Sequence, residues 1–278
     1  MKPPETIIAI SDPGEIDKEQ HNKGDRINIW ISNLFALIFP ILMIVICTQV
    51  VFRTLGRSEI GPGNQAWLDD FQWWLYGAAV LIGIGYAIST NSHVRVDIFY
   101  DKYSEQKRQR IDIIALTWFF LPFVVLCWDV TLSYAITSII ADEGSDSPNG
   151  LHNLWVLKLF MNFSFILIGF ATWSAYVRRL SQATKPVIWK QLLYAFPATL
   201  FIINLIIYYS FWWVIYLISE QGTTTRQVGR HEIFGDVNIF YWEIKYTIII
   251  SIIVTVMIIG LARLLDLLKQ DHTDTEAT

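Results

Sequence analysis

The sequence predicts an all-α membrane protein, a polytopic bundle of six transmembrane helices. Of its 278 residues, 53% are hydrophobic and 15% are aromatic, and the mean hydropathy is +0.39. Soluble domains usually have only about 45–50% apolar residues, even when glycine is counted. The apolar residues fall into six runs, each long enough for a helix to cross about 30 Å of hydrocarbon. Polar connections rich in Gly, Pro and charged residues separate the runs.

The first predicted helix runs from Ile27 to Phe52 and follows a polar tail, residues 1–26. The tail has no apolar periodicity, so we expect it to be loosely ordered and cytoplasmic. Its one short apolar run, Ile7–Ile10, falls below the roughly 7–15 residues of a signal-peptide core, which predicts that the first helix stays uncleaved. Pro40 lies in the middle of this helix and predicts a kink.

The second predicted helix, Trp67–Ser89, begins at the acidic and aromatic stretch WLDDFQWW, which is typical of a membrane interface. Gly77, Ala79 and Gly83 are small residues within it, and Ala79 and Gly83 have the small-xxx-small spacing that lets another helix approach closely. We therefore predict a helix-packing role for these three residues. The alternative is that small residues are simply common in membrane helices.

Four further helices complete the prediction. The third is longer than a bilayer requires, so at least one of its ends is expected to project into water. Residues 27–180 would form a four-helix membrane domain, residues 181–270 an added two-helix hairpin, and residues 271–278 a cytoplasmic tail. The predicted helices three to six are Glu105–Ile139, Leu154–Leu180, Leu192–Ser219 and Tyr241–Leu268.

Basic residues predict the orientation of the chain. Most of the 21 lysines and arginines lie in the N-terminal tail, in the connection between helices two and three, in that between helices four and five, and near the C-terminus. This bias is typical of cytoplasmic segments, so both termini are predicted to be cytoplasmic. Because the basic residues alternate with apolar runs, they indicate topology and imply no nucleic-acid partner.

The motif HVRVD follows the second predicted helix and contains His93, Arg95 and Asp97. In an extended segment all three side chains would point the same way, and in a helix His93 and Asp97 would share a face. Either geometry allows ion pairing, or hydrogen bonding to backbone groups at the helix end. We predict a structural or partner-interface role for this motif; an ordinary solvated loop is the alternative.

The sequence predicts no catalytic residue, metal site or cofactor, and hence no enzyme. The five histidines lie in tails and connections, so no pair faces across a bundle as a haem would need. Charged residues within the predicted helices are few and lie near their ends, whereas an ion or substrate path needs polar groups near the midplane. A solute path within this chain alone is therefore not expected. The alternatives are a stand-alone six-helix carrier or channel, which would need such polar groups, and a membrane enzyme, which would need clustered ionisable groups.

Three stretches of the sequence carry a family resemblance. WLDDFQWWLYGAAVLIGIGYAIS, HVRVDIFYDKYSEQKRQRIDIIALTWFFLPF and SDSPNGLHNLWVLKLFMNFSFILIGFATWS closely resemble the DctQ-like small membrane subunit of tripartite ATP-independent periplasmic (TRAP) transporters. The resemblance covers about Ile27 to Arg179. It implies a subunit of the bacterial inner membrane without catalysis, packed beside a large elevator-type membrane subunit that is coupled to sodium. It also implies a periplasmic solute-binding protein that delivers solutes such as organic acids.

The chain departs from this family at its C-terminal end. Members commonly stop after four helices, whereas this sequence predicts two more. The resemblance leaves the role of helices five and six open.

Overall fold

In the described part of the chain, six helical segments of the computed structural model are long and apolar enough to cross a membrane, which confirms the predicted fold class. The structure describes residues 18–93, 100–219, 224–239 and 241–276. Of the HVRVD motif, His93 is described, whereas Arg95 and Asp97 lie outside the described residues. The six segments are Lys23–Arg57, Ala66–Thr90, Glu105–Ile140, Trp155–Ala183, Phe196–Ile218 and Tyr246–Lys269.

The first span consists of two helices, α1 (Lys23–Ala36) and α2 (Ile38–Arg57), that meet at Leu37. Pro40 has no N–H to donate to the carbonyl of Ala36, one turn earlier, which explains an interruption slightly before the predicted kink site. Helix α1 begins earlier than the predicted Ile27 because the preceding residues form a capping box, described below.

The second span is α3 (Ala66–Thr90), which packs against α1 and α2. It ends at Asn91, whose φ of 55° lies in the left-handed region. Asparagine is one of the few residues other than glycine that accept this conformation at a helix end. The chain therefore leaves the helix immediately before the HVRVD motif, close to the predicted boundary at Ser89.

The third span contains a π-helical segment, Ala115–Phe120, between α4 (Glu105–Ile114) and α5 (Leu121–Ile140). Pro122 cannot donate to the carbonyl of Trp118, which favours a widened turn at this point. The fourth span is α6 (Trp155–Ala183). A short 3₁₀ turn, Tyr100–Lys102, precedes α4.

The contacts divide the chain into two compact units. The first comprises Met1–Arg108 and Phe123–Arg179, and the second comprises Gln109–Pro122 and Leu180–Thr278. The polar contacts discussed below each lie within one unit.

The second unit differs from the prediction at the start of both added helices. The predicted helix five is two helices, α7 (Ile188–Tyr194) and α8 (Phe196–Ile218), because Pro197 cannot donate to the carbonyl of Leu193. The sixth span begins at Tyr246, later than the predicted start at Tyr241. Its helix is α10 (Tyr246–Glu276). It follows a short helix, α9 (Thr225–Val228), a 3₁₀ turn (Glu232–Phe234) and two strands, β1 (Asp236–Ile239) and β2 (Trp242–Lys245).

The two strands form an antiparallel hairpin in which Asp236 pairs with Lys245. Their side chains also form an ion pair at 3.4 Å. Helices α8 and α10 pack together, and the amide of Asn204 donates a hydrogen bond to the Ser251 hydroxyl at 3.0 Å. The backbone of 242–245 thus hydrogen-bonds to a neighbouring strand, which is why this stretch does not continue α10 towards Tyr241.

Candidate functional site

A buried ion pair joins the start of α1 to the end of α6. Arg178 Nη1 lies 2.7 Å from Asp25 Oδ2. The Asp25 side chain is fully buried and that of Arg178 is 8% exposed. Removing two charges from water is costly, so such a pair is stable only where further hydrogen bonds satisfy both partners.

Neighbouring polar groups supply these hydrogen bonds. The Ser174 hydroxyl donates to Asp25 Oδ1 at 3.0 Å, and the backbone N–H of Asn22 donates to Asp25 Oδ2 at 3.3 Å. Arg178 also donates to the backbone carbonyl of Ser89, at 2.9 Å, on α3. The Asn22 amide in turn donates to the backbone carbonyl of Ser174 at 2.8 Å. The ion pair thus ties together three helices of the first unit.

Asn28 adds a second connection between α1 and α3. Its side-chain amide donates to the carbonyl of Gly85 at 2.8 Å and to the Ser89 hydroxyl at 2.9 Å. Glycine is needed where α1 meets α6, because a Cβ at Gly24 would lie 2.6 Å from the Ser174 hydroxyl. We call the connected polar residues the polar clasp: Asn22, Asp25, Asn28, Ser89, Ser174 and Arg178.

A second polar cluster lies at the opposite end of the same unit. The buried Lys158 ammonium, near the start of α6, donates to the carboxylate of Glu143 and lies 3.8 Å from the ring centroid of Tyr134. The hydrogen bond from Lys158 lowers the pKa of Glu143, which lies in the loop after α5. One turn further along α6, the Asn162 amide donates to the carbonyl of Trp128 at 2.7 Å. These contacts hold α5 against α6.

The two aspartates of WLDDFQWW anchor the same end of the unit. Asp69 pairs with Arg53 of α2 at 2.7 Å. Asp70 accepts a hydrogen bond from the backbone N–H of Leu151 at 2.9 Å, in the loop before α6. A Cβ at Gly150 would lie 2.6 Å from the Asp70 carboxylate, so this contact requires glycine. The acidic start of α3 therefore makes specific contacts with α2 and with this loop.

In the second unit, the π-helical segment contacts the break between α7 and α8. The carbonyl of Tyr194 accepts hydrogen bonds from the Thr117 hydroxyl at 3.3 Å and the Trp118 indole at 3.0 Å. Helix breaks leave carbonyls without intrahelical partners, and these two side chains satisfy one of them. They therefore connect an added helix to the third span.

The HVRVD prediction stays a prediction. His93 is exposed, two residues after the end of the α3 cap, and Arg95 and Asp97 lie outside the described residues. The motif follows closely on Ser89, which belongs to the polar clasp.

The helix-packing prediction for α3 also stays a prediction. Ala79 is buried, but a Cβ at Gly77 or Gly83 would meet no atom within 4 Å in the described part of the chain. The glycine of α3 that approaches another helix is Gly85, where a Cβ would lie 3.2 Å from Asn28 Oδ1.

Sequence reasoning missed the polar clasp. Asp25 lies in the N-terminal tail, which the sequence predicts to be loosely ordered, and Arg178 lies where a basic connection begins, which predicts only the topology. The available clue was local: Asn22 and Asp25 have the spacing of a capping box, in which each side chain binds the backbone N–H of the other residue. That spacing predicts a helix start before Ile27, although it does not predict the partner of Asp25.

Comparison with protein families agrees with this architecture. The family model "Tripartite ATP-independent periplasmic transporters, DctQ component" matches residues 42–182. The match covers just over half of the 278 residues, from α2 to the end of α6. Comparisons with curated proteins and with solved structures yield no match. The family is one of transporter components, and its members associate with a large membrane subunit and a binding protein. The chain belongs to the DctQ family of TRAP transporter components.

Proposed function

We propose that this chain is the scaffold subunit of a sodium-coupled, binding-protein-dependent secondary transporter for organic-acid-type solutes. It packs beside a large elevator-type membrane subunit, to which a periplasmic binding protein delivers the solute. The family match carries this proposal. Because the matched family consists of transporter components, we expect the solute path to lie in the large subunit and not in this chain.

The distribution of charge supports a scaffold role. In the described part of the chain, the buried pair of Asp25 with Arg178 and the contact of buried Lys158 with the partly exposed Glu143 lie near helix ends and hold elements of the first unit together. The buried amide of Asn162 is occupied by hydrogen bonds to α5. Polar groups committed to helix packing do not provide the midplane binding site of a carrier.

Both termini are proposed to be cytoplasmic in a bacterial inner membrane, with the polar clasp at the cytoplasmic end. Cysteine labelling tests this orientation in a background in which Cys47 and Cys127 are replaced by alanine. Ser147 and Ser181 are exposed positions on opposite ends of the proposed topology. A cysteine at 147 should react with an impermeant maleimide in intact cells, and one at 181 only after permeabilisation. The reverse pattern contradicts the orientation.

Reconstitution tests the function. Liposomes that contain this chain together with its large subunit should take up an organic acid when the binding protein and an inward sodium gradient are present. Liposomes that contain this chain alone should show no uptake. Solute flux through this chain alone would instead support the alternative, a stand-alone carrier or channel.

A further inference from the structure

Two cations flank one tryptophan in the second unit. Trp189 lies on α7, and its indole N–H donates a hydrogen bond to Asp266 of α10 at 3.1 Å. Lys190 Nζ lies 5.7 Å and Arg263 Cζ lies 5.5 Å from the centroid of the Trp189 ring. Both distances fall within the roughly 6 Å at which an aromatic face attracts a cation. The ring therefore brings together positive charges from two helices that are far apart in the sequence.

No described carboxylate neutralises these two charges. Lys190 donates to the Thr184 hydroxyl at 2.9 Å, and neither Lys190 nor Arg263 forms a salt bridge among the described side chains. Asp266 lies one helical turn after Arg263 and has the spacing of an ion-pair partner, but its carboxylate accepts from Trp189 instead. Arg263 is exposed and Lys190 is half-buried, so an anion from outside the chain can reach both. Such an anion would relieve the repulsion between the two like charges.

The two cations lie near one edge of the membrane. The helical rise from Tyr246, at the start of α10, to Arg263 is about 25 Å, which nearly spans a hydrocarbon core of about 30 Å. Trp189 is held close to this level by its hydrogen bond to Asp266. Tryptophan, lysine and arginine are typical of this level, because their polar ends reach the lipid headgroups. The level of the two cations is therefore that of the phospholipid phosphates.

Exposed apolar side chains adjoin both cations. Ile188 precedes Trp189 and is 67% exposed, and Leu264 follows Arg263 and is 55% exposed. Val256 lies on the same face of α10 as Arg263, two turns nearer the middle of the span, and is 57% exposed. Acyl chains cover such side chains, whereas a soluble phosphate leaves them bare. The surroundings therefore favour an anion that carries its own apolar chains.

We propose that Lys190 and Arg263, brought together by Trp189, bind the phosphate of an anionic phospholipid. The headgroup lies against the two cations, and an acyl chain follows α10 past Val256 towards the middle of the membrane. Basic pockets between membrane helices bind anionic headgroups in this way. In the proposed orientation the lipid belongs to the cytoplasmic leaflet. The site lies beyond the family match, at residues 42–182, and does not depend on the transport function.

Native mass spectrometry of the full chain, purified in a neutral detergent, measures which lipid is bound. Phosphatidylglycerol should be retained more strongly than phosphatidylcholine, because only the former carries a net negative charge. Equal retention of the two lipids overturns the proposed site. Excess inorganic phosphate should not displace phosphatidylglycerol. Displacement by inorganic phosphate would instead identify a site for soluble anions and overturn the assignment to lipid.

Charge variants test the two cations. Lys190→Gln with Arg263→Gln should raise the Kd for phosphatidylglycerol about thirtyfold, because each surface cation contributes about fivefold to the affinity for anionic lipid. The matched control is Arg226→Gln with Arg230→Gln, which removes two exposed arginines from the connection before α10, at the opposite end of that helix. The control should bind like the parent. Equal weakening in the two double variants would indicate a general charge effect and overturn the proposed site.

Trp189 offers a test that leaves both cations in place. Trp189→Phe removes the donor to Asp266, and the released carboxylate can then pair with Arg263 one turn away. We expect this variant to bind phosphatidylglycerol about fivefold more weakly, as for the loss of one cation. Adding Asp266→Asn should restore the binding. Unchanged binding in Trp189→Phe, or no restoration by Asp266→Asn, overturns the proposed arrangement.

Thermal unfolding in detergent separates binding from folding. Without lipid, the melting temperatures of the parent and of both charge variants should agree, because none of the changed side chains is fully buried. Added phosphatidylglycerol should raise the melting temperature of the parent and of the control, since a ligand stabilises the state that binds it. It should not raise that of Lys190→Gln with Arg263→Gln. An equal rise in all three proteins overturns the proposed site.

Discussion

Arg178 Nη1 lies 2.7 Å from Asp25 Oδ2, and both side chains are more than nine-tenths buried. The two residues are separated by 153 positions in the sequence. The same guanidinium group also donates to the carbonyl of Ser89. One ionic contact therefore controls how the start of the first span and the ends of the second and fourth spans are held together.

Breaking this ion pair should destabilise the chain strongly. Asp25→Ala removes the carboxylate that faces the buried guanidinium of Arg178, and we expect a loss of about 3–5 kcal/mol in the free energy of unfolding. The double variant Asp25→Ala with Arg178→Ala should lose less than the sum of the two single variants, because the contact is shared. Denaturation of the purified protein in detergent measures both. The exposed neighbour Arg26 is the control, and a comparable loss in Arg26→Ala would contradict a specific role for the pair.

The contact between Glu143 and Lys158 should make stability depend on pH. Because Lys158 lowers the folded-state pKa of Glu143, the stabilisation is present above the unfolded pKa of about 4.3. It is lost as the pH falls through the lower folded value. The melting temperature of the parent should therefore decrease more between about pH 5 and pH 3 than that of Glu143→Gln. Asp146→Asn in the same loop is the control, and identical pH profiles for parent and Glu143→Gln would contradict this expectation.

Losing one of the two side-chain donors to the carbonyl of Tyr194 should destabilise the chain less than losing both. Trp118→Phe removes the indole hydrogen bond, and Thr117→Val removes both the long contact with Tyr194 and the hydroxyl's 2.7 Å bond to the carbonyl of Ile113. Both changes nearly preserve shape, so each should cost about 0.5–1.5 kcal/mol. With both donors gone, the carbonyl has no side-chain partner, and the double variant should lose more than the sum. Thermal unfolding in detergent gives all three values, with Trp213→Phe in α8 as the matched tryptophan control. Strict additivity would show that the two donors act independently.

The HVRVD motif should contribute to assembly if Arg95 and Asp97 contact each other or the large subunit. Removing either partner of a partly buried, charge-assisted contact costs about 1–3 kcal/mol. Arg95→Ala and Asp97→Ala should each lower the yield of the two-subunit complex, and the double variant should be milder than the sum. The exposed Lys102→Ala is the control. If the effects are absent, or additive within about 0.3–0.5 kcal/mol, the motif serves only as a topology signal.

The sequence by itself determined the fold class, the number of spans and the family. These are local properties, because a bilayer requires a continuous apolar run for each span and a helix satisfies its own backbone hydrogen bonds. The ends of α3 and α6 consequently lie within a few residues of the predicted boundaries. Local proline chemistry also predicted an interruption in the first span, although the observed break is at Leu37.

Tertiary structure decided which polar residues meet. Nothing near Asp25 in the sequence indicates Arg178, because the contact exists only when antiparallel helices bring the start of α1 and the end of α6 to the same end of the first unit. The hydrogen bond from the Leu151 N–H to Asp70 depends on packing in the same way. Hydrophobic patterns specify that a helix crosses the membrane, whereas the geometry of neighbouring helices specifies which side chains become partners.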